Sequence, residues 1–306
     1  MLLNLNTLMT KYLKLLRVEQ WVKNLFVFLP LFFSGKFIDS NLFLQSVYAF
    51  FVFSLISSSI YIINDYSDIE SDRKHPEKKN RPLASGAISK PSAIVIFILL
   101  LLLVGLLFVF GEYYFNINIW KFAVIISLYF VMNLFYTFRL KHVAIIDVCI
   151  IAIGFVLRIM AGGYATGIPI SQWAIILTFI LALVLALGKR RGELINAQIS
   201  GRTRRALDGY NVQFADIALS ISVTIGIISY LMYTVQPEVQ EKFGRKIFYT
   251  FIFVVFAFLR YLQQTLVYNK TESPTKIVYK DRYIQITIIL WMLSFVFLIY
   301  ENYLMK

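Results

Sequence analysis

The 306-residue chain is 59% hydrophobic with a mean hydropathy of +0.71, which excludes a soluble globular protein. A formal net charge of +13 would suit nucleic acid, but the basic residues gather at the ends of apolar stretches and so point to a membrane surface. The single cysteine, Cys149, excludes an internal disulfide, and two histidines cannot build a His-rich zinc site.

Several apolar stretches reach about 20 residues, the length a helix needs to cross the hydrocarbon core. The first expected span, Glu19–Ser34, is short and interrupted by Pro30, which predicts a kinked or partly embedded helix. Lys11, Lys14 and Arg17 precede it with no small-residue cleavage site after it, so no cleavable signal is expected. The remaining spans are expected over Asn41–Ile63, Pro91–Phe110, Ile119–Phe138, Val143–Ala165, Ser171–Leu187, Phe214–Val235, Lys246–Val267 and Tyr283–Leu304. Nine spans without a sequence repeat, Gly/Ser-rich linker or low-complexity tail predict one all-α domain over residues 1–306. It would be a polytopic bundle around a central polar cavity open to the cytoplasmic side.

Orientation follows from the Lys and Arg residues. One side collects the N-terminal segment, Arg73–Lys90, Arg139 and Lys141, Lys189–Arg205 and Lys270–Arg282. The other holds only Lys36, Lys121, Lys242, Arg245, Lys246 and Lys306, while Arg158 and Arg260 lie within spans. The bias predicts a cytoplasmic N-terminus and an outside C-terminus.

The most informative polar stretch follows the second span and reads Asn64-Asp65-Tyr66-Ser67-Asp68-Ile69-Glu70-Ser71-Asp72, then Arg73-Lys74-His75-Pro76-Glu77-Lys78-Lys79-Asn80-Arg81-Pro82. Asp65, Asp68 and Asp72 are spaced i, i+3, i+7, which stacks three carboxylates on one helix face, while Glu70 points elsewhere. Three like charges repel unless a cation sits among them. Hard oxygen ligands with no Cys nearby favour Mg²⁺ shared with substrate phosphates. The basic cluster after them suits the same phosphate.

Other polar stations recur at the same membrane side. Gln20-Trp21-Val22-Lys23-Asn24 places an amide and a cation at the membrane entrance, where a Trp/Lys interfacial anchor is the alternative. Tyr136 and Lys141 lie between the fourth and fifth spans, and Asp147 and Arg158 fall eleven residues apart on one face of the fifth. Ionisable groups inside a membrane helix imply a polar interior, each with a partner elsewhere. The Ala161-Gly162-Gly163 run suits close helix packing. Gly188-Lys189-Arg190-Arg191-Gly192-Glu193 ends the sixth span, where a stop-transfer cluster is the plain alternative, and Asn196–Gly209 is expected to be a basic loop capping a cavity. Ser273–Lys276 leads to Asp281-Arg282 at another helix start.

Asn64-Asp65-x-x-Asp68-x-x-x-Asp72 resembles the first aspartate-rich motif of the UbiA superfamily of intramembrane prenyltransferases. Typical members carry a second acidic DxxxD motif between the sixth and seventh spans, where this chain reads Gly188-Lys189-Arg190-Arg191-Gly192-Glu193. That departure looks like the branch of decaprenyl-phosphate phosphoribosyltransferases, as do Gln20–Asn24, Leu140-Lys141-His142, Asp147, Gly154–Arg158 and Asp281-Arg282. The resemblance implies Mg²⁺-dependent transfer of 5-phosphoribosyl from phosphoribosyl pyrophosphate (PRPP) to a polyprenyl phosphate in a bacterial inner membrane. It implies that Asp65, Asp68 and Asp72 hold the metal and act catalytically. Substrate would be bound by Lys23, Asn24, Asn64, Arg73, Lys78, Arg81, Tyr136, Lys141, Asp147, Arg158, Lys189, Arg190, Asp281 and Arg282. No nucleic-acid partner is expected, membrane lipid surrounds the chain, and a homo-oligomer is compatible. The alternatives are transfer of a prenyl group from its diphosphate to an aromatic or other acceptor, and a transporter.

Overall fold

The computed structural model describes residues 2–304 except 116, 201–204, 270–276, 278 and 279. The expected Ser273–Lys276 approach and the basic residues Arg202 and Arg204 lie outside the described residues.

Every regular element among the described residues is helical, and eight stretches are long and apolar enough to cross a membrane. They are Ser40–Ser67, Lys90–Phe115, Ile119–Phe138, Ile146–Thr166, Gln172–Ala197, Val212–Thr234, Arg245–Val267 and Arg282–Glu301, as an integral membrane protein requires. The first expected span differs. Residues Val18–Phe28 form a 3₁₀ helix and Leu29–Ser34 a short α-helix, α2. Pro30 falls in the first turn of α2, where its missing N–H leaves no bond unmade, so it starts a helix rather than breaking one. Arg17, with φ 50° and ψ 47°, separates this segment from α1, Leu2–Leu16.

The chain forms two compact units, Met1–Leu140 with Leu157–Ile170, and Lys141–Val156 with Ser171–Lys306. The first contains α1, the 3₁₀ segment, α2, α3 (Ser40–Ser67), α4 (Ile69–Arg73), α5 (Lys90–Phe115), α6 (Ile119–Phe138) and the end of α7 (Ile146–Thr166). Asp39 starts α3 by accepting from the Asn41 and Leu42 amides at 3.0 and 3.1 Å. Around α3 pack α5, α6 and the 3₁₀ segment. Val52, Phe53 and Ile56 meet Phe122, Ile126, Tyr129 and Leu157 in the core. Because lipid is as apolar as these side chains, close packing and polar ties rather than water expulsion hold the helices together. One such approach is at Gly162, where an added Cβ would stand 1.9 Å from the Val27 carbonyl oxygen. The opposite face of α5, with Leu99, Leu102, Leu106 and Val109, is exposed as a lipid-facing helix requires.

The second unit contains the start of α7, α8 (Gln172–Ser200), α9 (Val212–Thr234), α10 (Pro237–Phe243), α11 (Phe251–Leu262) and α12 (Arg282–Leu304). Val184, Leu187, Leu219, Val223, Tyr261 and Ile284 form its core. Arg191 ties three elements by pairing with Asp216 on α9 and donating to the Thr265 carbonyl at 2.7 Å and Asn269 Oδ1 at 2.6 Å.

Candidate functional site

The aspartate-rich stretch is not one uninterrupted helix. α3 ends at Asp68, with φ −99° and ψ 7°, and α4 begins at Ile69. The Asp72 amide still donates to the Asp68 carbonyl at 2.8 Å, so the break bends the stripe without reversing it. The three carboxylates therefore separate into two environments. Asp65 and Asp72 are buried, with residue exposures of 2% and 3%, and Arg81 Nη1 bridges them, 3.1 Å from Asp65 Oδ1 and 2.6 Å from Asp72 Oδ2. Arg17 Nη2 also pairs with Asp65 Oδ1, its guanidinium 4.7 Å from the Tyr61 ring centre. Asp68 is half-buried and accepts at 3.4 Å from Asn64 Nδ2 and from Ser67 Oγ. Glu70 points away and pairs with Arg73, as the spacing predicts.

No group of three His, Cys, Asp or Glu side chains among the described residues is arranged to hold a metal. Where the spacing leads to the expectation of three converging carboxylates, Asp65 and Asp72 share Arg81, while Asp68 at the helix break accepts from Asn64 and Ser67. Two carboxylates already gathered on one cation still suit a hard divalent ion, since Mg²⁺ commonly takes one or two protein carboxylates and completes its shell with phosphate and water. The donor set fits.

A cavity of about 520 Å³ opens beside this pair, with Lys14, Arg17, Glu19, Gln20, Asp65, Asn80 and Arg81 in its wall. Among the other expected phosphate ligands, Arg73 donates to the Ala84 carbonyl at 3.1 Å and so braces the following turn. Lys78 is half-buried in the 3₁₀ turn Lys78–Asn80. His75 Nδ1 accepts from the Glu77 and Lys78 amides at 3.2 and 3.3 Å. Partial burial and the Lys78 charge lower its pKa, in keeping with a hydrogen-bonding residue.

A second polar group lies deeper in the same unit. Arg158 donates through Nε to Asn24 Oδ1 at 2.8 Å and through Nη2 to the Tyr129 hydroxyl at 3.0 Å. Asn24 Nδ2 in turn donates to Ser54 Oγ at 2.9 Å. The guanidinium also lies 4.8 Å from the Phe53 ring centre, and Asn24 and Arg158 are 1% and 5% exposed. Lys23 precedes Asn24 on the 3₁₀ helix and is half-buried. Trp21 donates to Ser58 Oγ at 3.0 Å, so this segment is packed on α3 rather than serving only as an interfacial anchor. Tyr136 is half-buried on the last turn of α6.

In the second unit Asp147 is fully buried. It accepts from Arg190 Nε at 2.6 Å and from the Tyr210 hydroxyl at 2.8 Å, while Arg190 Nη1 also pairs with Glu193. The Tyr210 hydroxyl accepts from the Ile145 amide at 2.6 Å, holding Ile145 at φ 70°, an unfavourable value for a β-branched residue. Burial and the Asp147 carboxylate push the Tyr210 phenol up, so it stays a donor. Asp147 and Arg158 thus have separate partners, as their spacing predicts. Lys141 is buried, and Lys189 lies 3.8 Å from Glu193 with its side chain 45% exposed. The expected loop Asn196–Gly209 is helical through Ser200, with Arg205–Gly209 a 3₁₀ turn.

Asp281 accepts from the Ile284 amide at 3.0 Å at the start of α12, and from Arg260 Nη2 and Gln264 Nε2 at 2.8 and 2.6 Å. Burial acts to raise its pKa, but the bonds from Arg260, the Ile284 amide and Gln264 outweigh it and hold the carboxyl low. Arg282 beside it is exposed. Arg17, Tyr129 and Tyr210 are the contributors that the sequence does not single out. Arg17 closes the basic N-terminal run, but nothing local announces the left-handed backbone that aims it at Asp65.

Residues 25–189 match the UbiA prenyltransferase family. The chain is 32% identical over 299 residues to the decaprenyl-phosphate phosphoribosyltransferase of Mycolicibacterium smegmatis, covering 93% of this chain and 91% of that protein. It is 30% identical over 283 residues to the enzyme of the same name from Mycobacterium tuberculosis, covering 91% and 90%. Its fold is similar to a UbiA homolog from Archaeoglobus fulgidus bound to DMAPP and Mg²⁺, with a TM-score of 0.66, 20% identity and coverage of 94% and 99%.

Proposed function

The chain belongs to the UbiA prenyltransferase family, and on that premise we propose that it transfers 5-phosphoribosyl from PRPP to a polyprenyl phosphate, releasing pyrophosphate. One observation carries the choice of donor. Where a second acidic motif would hold a second metal in a prenyl-diphosphate enzyme, Arg190 is buried against Asp147 and Glu193. That segment holds a cation in place instead of presenting paired acids. The full-length likeness to proteins named decaprenyl-phosphate phosphoribosyltransferase supports the same choice.

Asp65 and Asp72 would hold Mg²⁺, with Asp68 as a third carboxylate steadied by Asn64. When bound, the metal supplies charge neutralisation on the departing diphosphate. Arg81 sits where it can reach diphosphate oxygens, and Lys78 lies on the turn beside it. Lys23, with Arg158 fixed by Asn24 and Tyr129, would draw in the lipid phosphate. That phosphate is already anionic at neutral pH, so no strong base is needed, and positioning supplies much of the rate. In the second unit Lys189 lies beside Glu193 and Arg282 is exposed, whereas Asp147, Arg190 and Asp281 act by holding other side chains. The Lys and Arg bias supports a cytoplasmic N-terminus and aspartate stretch on a chain that would lie in a bacterial inner membrane.

The test is purified protein with Mg²⁺ and radiolabelled PRPP, with and without polyprenyl phosphate. Label entering the lipid phase only with the acceptor is the expected outcome. No lipid label, together with prenyl transfer from a prenyl diphosphate to an aromatic acid, would overturn it.

A further inference from the structure

Resting on the diphosphate reading above, we propose that Arg17 and Arg81 serve two partners in turn. They hold Asp65 and Asp72 while no metal is bound, and move onto the diphosphate when those carboxylates take the metal.

Burial sets the problem. Two carboxylates at 2% and 3% exposure, close enough to share Arg81 Nη1, cannot both stay ionised without compensating charge. Arg17 and Arg81 supply that charge, two guanidiniums for two carboxylates, Arg17 on Asp65 and Arg81 on both. Their geometry differs from that of a permanent structural pair such as Arg190–Asp147, where both side chains are at most 1% exposed. Arg17 and Arg81 keep 18% and 25% of their side-chain surface exposed, and both line the 520 Å³ cavity together with Asp65. Each therefore reaches its carboxylate from the cavity side and can swing back into it. Their attachments allow this. Arg17 sits at the left-handed joint between α1 and the 3₁₀ segment, and Arg81 follows the short turn Lys78–Asn80.

Charge accounting gives the direction of the exchange. Two carboxylates and two guanidiniums in contact sum to zero. The cavity wall also carries Lys14, Glu19 and Glu77, so a divalent cation arriving alone displaces the arginines and adds two positive charges with no new anion, leaving excess positive charge. Arriving with a diphosphate, it brings an anion with four or more outward oxygens to which guanidinium forks bind bidentately. The pair thus refuses bare metal and accepts the metal–diphosphate complex. Neither role requires Arg17 to touch a sugar or a lipid.

The experiment uses the purified full chain, with Mn²⁺ as a paramagnetic substitute for Mg²⁺ and inorganic pyrophosphate as the anion. Wild-type protein should bind Mn²⁺ weakly alone, and pyrophosphate should tighten binding by about tenfold beyond the metal–pyrophosphate association in solution, a usual size for coupling. Arg17→Gln should bind Mn²⁺ alone about tenfold more tightly and lose most of the pyrophosphate gain, with Arg17→Lys intermediate on both. Unchanged Mn²⁺ affinity in Arg17→Gln, or a parallel weakening of both ligands, would overturn the proposal. If Arg17→Gln does not fold, the wild-type measurement decides alone, since absence of coupling excludes the exchange. Neither probe contains ribose or lipid, so a wrong donor assignment would fail the labelled-PRPP assay and leave these results standing.

Discussion

Arg190 and Asp147 form a buried pair, Nε to Oδ2 at 2.6 Å, with side chains 1% and 0% exposed. Breaking such a pair leaves one buried charge uncompensated, which costs about 3–5 kcal/mol, whereas replacing both partners with apolar groups is often close to neutral. Asp147→Leu and Arg190→Met should each lower thermal stability sharply in detergent, with the double variant recovering much of the loss. Additive losses would show that the residues act independently.

Gly162 offers a steric prediction. Its Cα face abuts the Val27 carbonyl, which belongs to backbone and cannot turn away as a side-chain end would. Gly162→Ala should destabilise the first unit by about 1–3 kcal/mol, the range for overpacking, and Gly162→Leu should prevent recovery of folded protein. Gly105, with open space around a built Cβ, is the control, and Gly105→Ala should be close to neutral. Melting temperatures of the two alanine variants decide the matter.

The Asp281 carboxyl has its pKa held low by Arg260, the Ile284 amide and Gln264 despite the opposing effect of burial. A depressed folded pKa means that its stabilisation is present above the unfolded value of about 4 and is lost as pH falls through the folded value. Asp281→Asn should therefore melt below wild type at pH 7, with the gap narrowing towards pH 3. A gap that stays constant with pH would assign the loss to packing instead.

The two environments of the aspartate stretch predict unequal effects on transfer. Asp65→Asn and Asp72→Asn each remove a carboxylate from the buried pair and should lower Mg²⁺-supported transfer by at least ~100-fold, the scale for losing a charge-stabilising group. Asp68→Asn keeps the contact with Asn64 available and should have a smaller effect, partly relieved by raised Mg²⁺. A full set of Mg²⁺ titrations would separate these, and an unimpaired Asp65→Asn would remove the metal assignment.

Most of the all-α fold was legible because a membrane helix needs about 20 apolar residues, a requirement visible without tertiary contacts. Eight spans follow that pattern, and the one exception, Glu19–Ser34, became a 3₁₀ segment plus α2 through contacts such as Trp21–Ser58 and Asn24–Ser54 that no local signal encodes. The aspartate spacing likewise raised the expectation of hard-cation chemistry at Asp65, Asp68 and Asp72, because residue type sets ligand hardness.

Which carboxylates meet was decided only in three dimensions. Arg81 lies 16 residues from Asp65, and Arg17 lies 48 away, so their convergence depends on how α1, α3 and the Lys78–Asn80 turn pack. The sequence by itself determined a helical membrane protein of this family and the kinds of charge it carries, since composition, length and motif are properties of the chain. Tertiary structure decided that Asp65 and Asp72 share a guanidinium, and that Arg190 faces Asp147 inside its unit. The physical reason is that burying like charges forces each to find a counter-ion, and a counter-ion is chosen by proximity in space rather than along the chain.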